Sequence, residues 1–197
     1  MSPIVLATHN THKVEEVRHI LADYGIEVKS LADLQIHEDP PETGDTFEAN
    51  ALQKARYILA LTGLPCVADD SGLEVDALGG APGVHSKRYT PEATAEHNNA
   101  KLLQELSGHT DRRARFRCVL ALVGPSGERT ASGTCEGHIL HTPSGDGGFG
   151  YDPIFAPDEA PGRSMAQLTP AEKNAISHRG RAFRQLPELL RRHGGGA

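Results

Sequence analysis

The sequence predicts an α/β fold built on a mixed β-sheet, and three observations carry the prediction. Short runs rich in β-branched residues alternate with longer stretches in which apolar residues recur at helical spacing. Caps, prolines and glycines stand at the junctions between the two kinds of segment. Residues 112–140 read as two strands around a Pro-Ser-Gly-Glu turn, and such an antiparallel hairpin excludes an all-parallel sheet.

Taken in order, residues 3–8 (PIVLAT) read as a buried strand. Asn10 or Thr11 then caps a helix whose apolar stripe is Val14, Val17, Leu21 and Tyr24. Residues 26–31 form a second strand, and residues 37–46, with Pro40, Pro41 and Gly44, form a loop. Asp45 or Thr46 caps a helix to about Leu61 that carries Phe47, Ala51, Ile58 and Leu59. Residues 64–69 make a third strand and 72–78 a fourth, the chain turning at Ser71-Gly72. After a tight loop at 79–83, a Thr90 cap with Pro91 at the first helical position starts a helix to Leu106. In the hairpin Arg113, Arg115 and Arg117 alternate with Ala114, Phe116 and Cys118, the pattern of a two-faced strand rather than an RNA-binding patch. Residues 144–155 are a glycine-rich loop, and Thr169-Pro170-Ala171-Glu172 is a capping box that opens a final helix. The tail 191–197 is expected to fray.

A chain of 197 residues suits one domain, taken as residues 1–197, and is long enough to bury a substantial core. Its net charge of −6 argues against a general binder of nucleic acid or anionic membranes, while leaving room for a small anion held by local cations. No apolar run approaches membrane length, and the opening MSPIVLATHN turns polar too soon for a signal peptide. Cys66, Cys118 and Cys135 are odd in number and widely spaced, which reads as reduced, buried thiols of a cytoplasmic protein.

Five stretches could carry chemistry. Residues 7–13 (ATHNTHK) lie at a strand-to-helix junction, where free N–H groups and the helix dipole suit a phosphate. Thr8 and Asn10 add side-chain donors and Lys13 a cation, although an ordinary capped helix explains the same residues. Glu42, in the proline-rich loop, and Lys54, on the next helix, each read alone as solvated charges. Asp69 and Asp70 stand at a strand's carboxyl end, where open α/β sheets bind ligands. Adjacent carboxylates on an extended chain point to opposite sides, so a shared Mg²⁺ requires the turn at Ser71-Gly72; an Asx turn is the other reading. In residues 147–153 (GGFGYDP), Phe149 or Tyr151 could stack on a base, or pack in the core. In residues 172–181 (EKNAISHRGR), Lys173 and His178 fall on different faces of a straight helix and meet one ligand only from different sides, or if the helix bends near Gly180.

Together, THNTHK, ETGDTFEANALQKA, ADDSGLEVDALGGAPGVHSKRY, FGYDPIF and EKNAISHRGRA follow one another in an order that resembles the inosine triphosphate pyrophosphatase family. The resemblance spans nearly the whole chain. It implies an elongated mixed sheet flanked by helices, in two lobes with an active-site cleft between them, and a cytoplasmic homodimer. It also implies Mg²⁺-dependent hydrolysis of ITP, dITP and XTP between the α and β phosphates, cleansing the nucleotide pool. By position, Thr8, His9, Asn10, Thr11, His12 and Lys13 would bind the triphosphate with Lys54, and Ser71 would touch substrate. Asp70 would accept a proton from water and bind metal, with Glu42 and Asp69 as further metal ligands or water-positioning groups. Phe149, Gly150, Tyr151, Asp152, Lys173, His178 and Arg179 would hold the base and sugar.

Two stretches depart from the family's pattern. Where the family usually reads T-F-x-E-N-A, this chain has Thr46-Phe47-Glu48-Ala49-Asn50-Ala51, so the acid sits on another helix face and Glu48 takes no metal role. Lys87 and Thr90-Pro91 replace the usual small residues after Ser86, a change at the rim. A binding module without turnover predicts a missing acid or cation, yet Lys13, Lys54, Lys173, Glu42, Asp69 and Asp70 are all present. A pyrophosphatase of the related septum-inhibitor family is disfavoured by FGYDPIF and SHRGRA.

Overall fold

A computed structural model describes residues 3–194. Six strands lie in one sheet in the order β2-β1-β3-β4-β5-β6: Val28–Ser30, Ile4–Leu6, Cys66–Val75, Arg113–Gly124, Gly127–Ile139 and Phe155–Pro157. β1 pairs in parallel with β2 and β3, while β5 and β6 are antiparallel, so the sheet is mixed as the hairpin required. β6 escaped the sequence reading because three residues pairing Ile139 with Phe155 are too few to show alternation.

Six α-helices accompany the sheet among the described residues: α1 Thr11–Leu21, α2 Phe47–Thr62, α3 Ala95–Glu105, α4 Pro170–Ile176, α5 His178–Phe183 and α6 Leu186–Gly194. Asn10 caps α1 by accepting from the Lys13 N–H, and Thr46 caps α2 through the Ala49 N–H. α1 buries Val14, Val17, Ile20 and Leu21 and stops there; a 3-10 turn follows, and Tyr24 leaves the expected stripe for solvent. α2 buries Phe47, Ala51 and Ile58, and the fully buried Ile58 is worth about 1.5–3 kcal/mol.

Three expectations are corrected. β3 runs unbroken through Asp69, Asp70, Ser71 and Gly72, so no turn separates a third strand from a fourth. Helix α3 begins at Ala95 with Thr94 as cap, not at Pro91, because Thr90 to Ala93 closes a turn and Ala93 takes φ 51°. The final helix breaks at Ser177, whose extended ψ of 153° separates α4 from α5, rather than bending at Gly180. Of the tail expected to fray, residues 191–194 continue α6 and 195–197 lie outside the described residues.

The chain forms two compact units. The first comprises residues 1–70, 118–133 and 179–197, with a core of Ile4, Leu6, Val17, Leu21, Val67, Leu120 and Phe183 among others. The second comprises residues 71–117 and 134–178, with Leu73, Val75, Leu102, Phe116, Ile139, Ile154 and Phe155 at its centre. On β4 the two-faced pattern holds: Ala114 and Phe116 are buried, while Arg115 turns out to Asp76 at 2.8 Å and Glu136 at 3.0 Å. All three cysteines are buried and none is in a disulfide among the described residues, and burial pushes the Cys66 thiol up to about 12.

Candidate active site

In the first unit a charged cluster grows from β3. Because alternate side chains of a strand point to opposite faces, Asp69 and Asp70 acquire different partners. Asp69, fully buried, receives Lys13 Nζ at 3.0 Å on Oδ2, with Arg179 Nε at 3.5 Å. Arg179 also pairs with Glu16, one turn along α1 from Lys13. Burial alone would raise the Asp69 carboxyl, but Lys13, Arg179 and Lys54 outweigh it and hold it well below the ordinary carboxylate range. Burial likewise disfavours the Arg179 charge, and Asp69 and Glu16 more than restore it.

Asp70 faces α2. Its Oδ2 accepts from Asn50 Nδ2 at 3.0 Å, and its Oδ1 stands 3.8 Å from Lys54 Nζ. The Asn50 amide is itself fixed, because its Oδ1 accepts the Gly44 N–H at 2.7 Å. Lys54 reaches Glu42 at 2.6 Å, tying the proline-rich loop to α2. Here burial wins: the Asp70 carboxyl lies above its ordinary value despite Lys54 and Asn50. Burial works against the Lys54 charge, yet Asp70, Asp69 and Glu42 raise its proton affinity. Two neighbouring aspartates are thus driven to opposite sides of the ordinary value by their partners.

The strand-to-helix junction supplies the remaining groups. Thr8 Oγ1 accepts from the Asn10 N–H at 3.1 Å, and the Asn10 cap sets the first turn from which Lys13 reaches Asp69. Thr11 and His12 are exposed on that turn, and His9 contacts the Glu38 carbonyl at 3.2 Å.

In the second unit a different assembly surrounds Phe149. The Asp152 carboxylate accepts from the Phe149 N–H at 2.9 Å and from Lys173 Nζ at 2.7 Å. The Lys173 ammonium lies 4.7 Å from the centre of the half-buried Phe149 ring, a cation–π distance. A Cβ at Gly148 would collide with the Asp152 carboxylate, so glycine is required there. Tyr151, the other aromatic considered for stacking, is buried in the core and donates its hydroxyl to the Ser86 carbonyl at 2.7 Å. His178 stacks on Phe116 with 4.8 Å between ring centres, and Ser71 is half-buried in β3.

The residues expected from sequence therefore fall into two groups. Lys13, Glu42, Lys54, Asp69, Asp70 and Arg179 belong to the cluster of the first unit. Phe149, Gly150, Tyr151, Asp152, Lys173 and His178 belong to the second. Asn50 and Glu16 escaped the reading. Asn50 was discoverable: it lies on the buried stripe of α2 with Phe47, Ala51 and Ile58, where a polar group needs a partner.

The donor set suits a hard cation. Among the described residues no group of three or more His, Cys, Asp or Glu is gathered as a metal cage. Mg²⁺ does not need one, because it keeps waters and takes substrate phosphates beside one or two carboxylates. Asp70 and Glu42 already share one cation, the Lys54 ammonium, whereas Asp69 is engaged by Lys13 and Arg179.

Known proteins resemble this chain over nearly its whole length. A dITP/XTP pyrophosphatase of Mycolicibacterium paratuberculosis is 50% identical over 196 residues, covering 96% of each chain. One from Shigella flexneri is 48% identical over 198 residues, covering 97% of this chain and 99% of its own. The solved structure of a HAM1 protein from Coxiella burnetii superposes with a TM-score of 0.85 at 43% identity, covering 98% of this chain and all of its own (100%). With residues 4–189 matching the sequence profile of the Ham1 family, this chain belongs to that family.

Proposed function

We propose that the protein hydrolyses deaminated purine nucleoside triphosphates (ITP, dITP and XTP) to the monophosphate and pyrophosphate. The observation that carries this reading is Asp70, a buried carboxylate of raised proton affinity, oriented by Asn50 and set beside Lys54. A general base works best when its pKa approaches the working pH, and burial moves Asp70 in that direction. Its relatives, dITP/XTP pyrophosphatases, suggest the substrate class.

In the reaction a water oxygen attacks the α-phosphorus, its proton passes to Asp70, and the bond to the α–β bridging oxygen breaks. Lys13 and Lys54 stabilise charge on the phosphates and on the pyrophosphate leaving group. Residues 8–13 cradle the triphosphate at the N-terminus of α1, and Ser71 contacts the substrate. Asp70 and Glu42 would hold Mg²⁺, which when bound supplies Lewis-acid neutralisation of the phosphate oxygens. Asp69 serves this site by anchoring Lys13 and Arg179.

Phe149, Asp152, Lys173 and His178 hold the base and sugar. Hypoxanthine and xanthine carry a carbonyl where adenine carries an amine, so a pocket of donors can reject ATP by a factor on the order of 10⁴. The same reading makes the enzyme a cytoplasmic homodimer; no helix among the described residues is long and apolar enough to cross a membrane.

One assay tests it: ITP, XTP, dITP, ATP and GTP with Mg²⁺, scoring pyrophosphate against orthophosphate. Pyrophosphate from the first three is expected. Orthophosphate as product, or ATP cleaved as fast as ITP, overturns the reading.

A further inference from the structure

The Phe149 loop depends on a residue outside every motif considered so far. Asn99, on α3, is buried at 8% exposure, and its Nδ2 donates to the Gly150 carbonyl at 3.1 Å. Gly150 lies next to Phe149 and takes φ 62°, so its carbonyl direction is set by a left-handed residue and received by one side chain. The Asn99 Oδ1 is buried and has no hydrogen-bond partner among the described residues.

The preceding residue works on the same loop from its other end. Asn98 donates to the Ser86 carbonyl at 3.3 Å and the Lys87 carbonyl at 3.2 Å, while its Oδ1 accepts from Thr90. That Ser86 carbonyl also receives the Tyr151 hydroxyl at 2.7 Å. Two adjacent asparagines of one helix turn therefore fix both Gly150 and the anchor of Tyr151. Thr94 caps that helix, so the pair stands on a rigid element.

We propose that Asn99 is a positioning residue for base recognition: through the Gly150 carbonyl it holds the Phe149 backbone where the ring and Lys173 meet a purine. The inference rests on the reading of the second unit as the base-binding side. The unpartnered Oδ1 supports it. A buried amide with an unmatched acceptor is worse for folding than an apolar residue of the same size. Asn99 at this position thus weakens the core locally while directing a carbonyl of the loop, the signature of a residue kept for placement rather than stability.

The test replaces Asn99 by Leu, of similar size without donor or acceptor, and separately by Ala. Kinetics with ITP are read beside inhibition by inorganic tripolyphosphate and by inosine, with thermal unfolding as control. Loss of one positioning hydrogen bond predicts a KM for ITP raised about fivefold with kcat within about twofold. Inosine inhibition should weaken by the same factor, tripolyphosphate inhibition should not change, and both variants should remain folded at the assay temperature.

An unchanged KM in a folded variant overturns the proposal, as does parallel weakening of inosine and tripolyphosphate. Failure of both variants to fold overturns it too, by making Asn99 structural. If the parent protein does not hydrolyse ITP, the functional reading fails instead, and that control is run first.

Discussion

In the first unit, Asp69 receives both Lys13 and Arg179, Glu16 shares Arg179, and Asp70 and Glu42 share Lys54. Four carboxylates there meet three cations. In the second unit Lys173 forms a buried pair with Asp152, and neutral bonds from Asn98, Asn99 and Tyr151 reach backbone carbonyls. The difference matches the two ends of the proposed substrate. A triphosphate is recognised by charge, whose strength depends on keeping cations ionised in a dry place. A purine is nearly neutral, and recognising it requires a fixed shape with donors in fixed directions.

The sharpest way to break this comparison is at the adjacent aspartates. Asp70→Asn should lower pyrophosphate release from ITP by about 10²–10⁴-fold while nucleotide binding and the unfolding midpoint persist. Near-parental turnover would remove Asp70 from the base role. Asp69→Asn should act the other way round, costing about 3–5 kcal/mol of stability because Lys13 and Arg179 lose their buried partner. Denaturant unfolding of both variants separates the roles.

pH sharpens the same contrast. The Asp70 carboxyl is raised by burial, so in the Mg²⁺-free protein its NMR titration should fall above the ordinary 3.8, and added Mg²⁺ should draw it down. For Asp69, burial is outweighed by Lys13 and Arg179 and the carboxyl is depressed. Its contribution to stability should be complete above 3.8 and disappear as pH falls further below that value. Stability measured against pH should lose this acid dependence in Asp69→Asn.

Smaller effects are expected in the second unit. Lys173→Met should raise the KM for ITP about tenfold and leave tripolyphosphate inhibition unchanged, since it acts on the Phe149 platform. Tyr151→Phe removes one hydroxyl bond to Ser86 and should cost about 1 kcal/mol in thermal unfolding.

The same contrast explains what the sequence revealed. The paired aspartates stood out because two adjacent carboxylates closing a buried run need a reason, whereas Lys13, Glu42 and Lys54 read alone as ordinary charges and took roles only from the family resemblance. The opposite-facing geometry of Asp69 and Asp70 also followed from strand periodicity alone. The turn at Ser71-Gly72 did not follow, because pairing within the sheet overrode the local preference of serine and glycine for a bend. Thr90 resembled a helix cap by local rules, yet its N–H and hydroxyl go to Asn98, a partner eight residues away. Asn99 was harder still, since an asparagine carries no charge and its meaning lies in an acceptor 51 residues away.

The unbroken course of β3 sets how freely this protein can vary in length. An inserted or deleted residue just before Asp69 would slip the strand by one and exchange the two acids between faces. After an insertion Asp69 would stand where Asp70 had faced Asn50 and Lys54, and the inserted residue would stand where Lys13 and Arg179 had met Asp69. Both acids would still be present, yet neither would keep its partners. A change of length within β3 should therefore be far more damaging than one in a loop, because the spacing from Cys66 to Asp70 decides which face each acid takes.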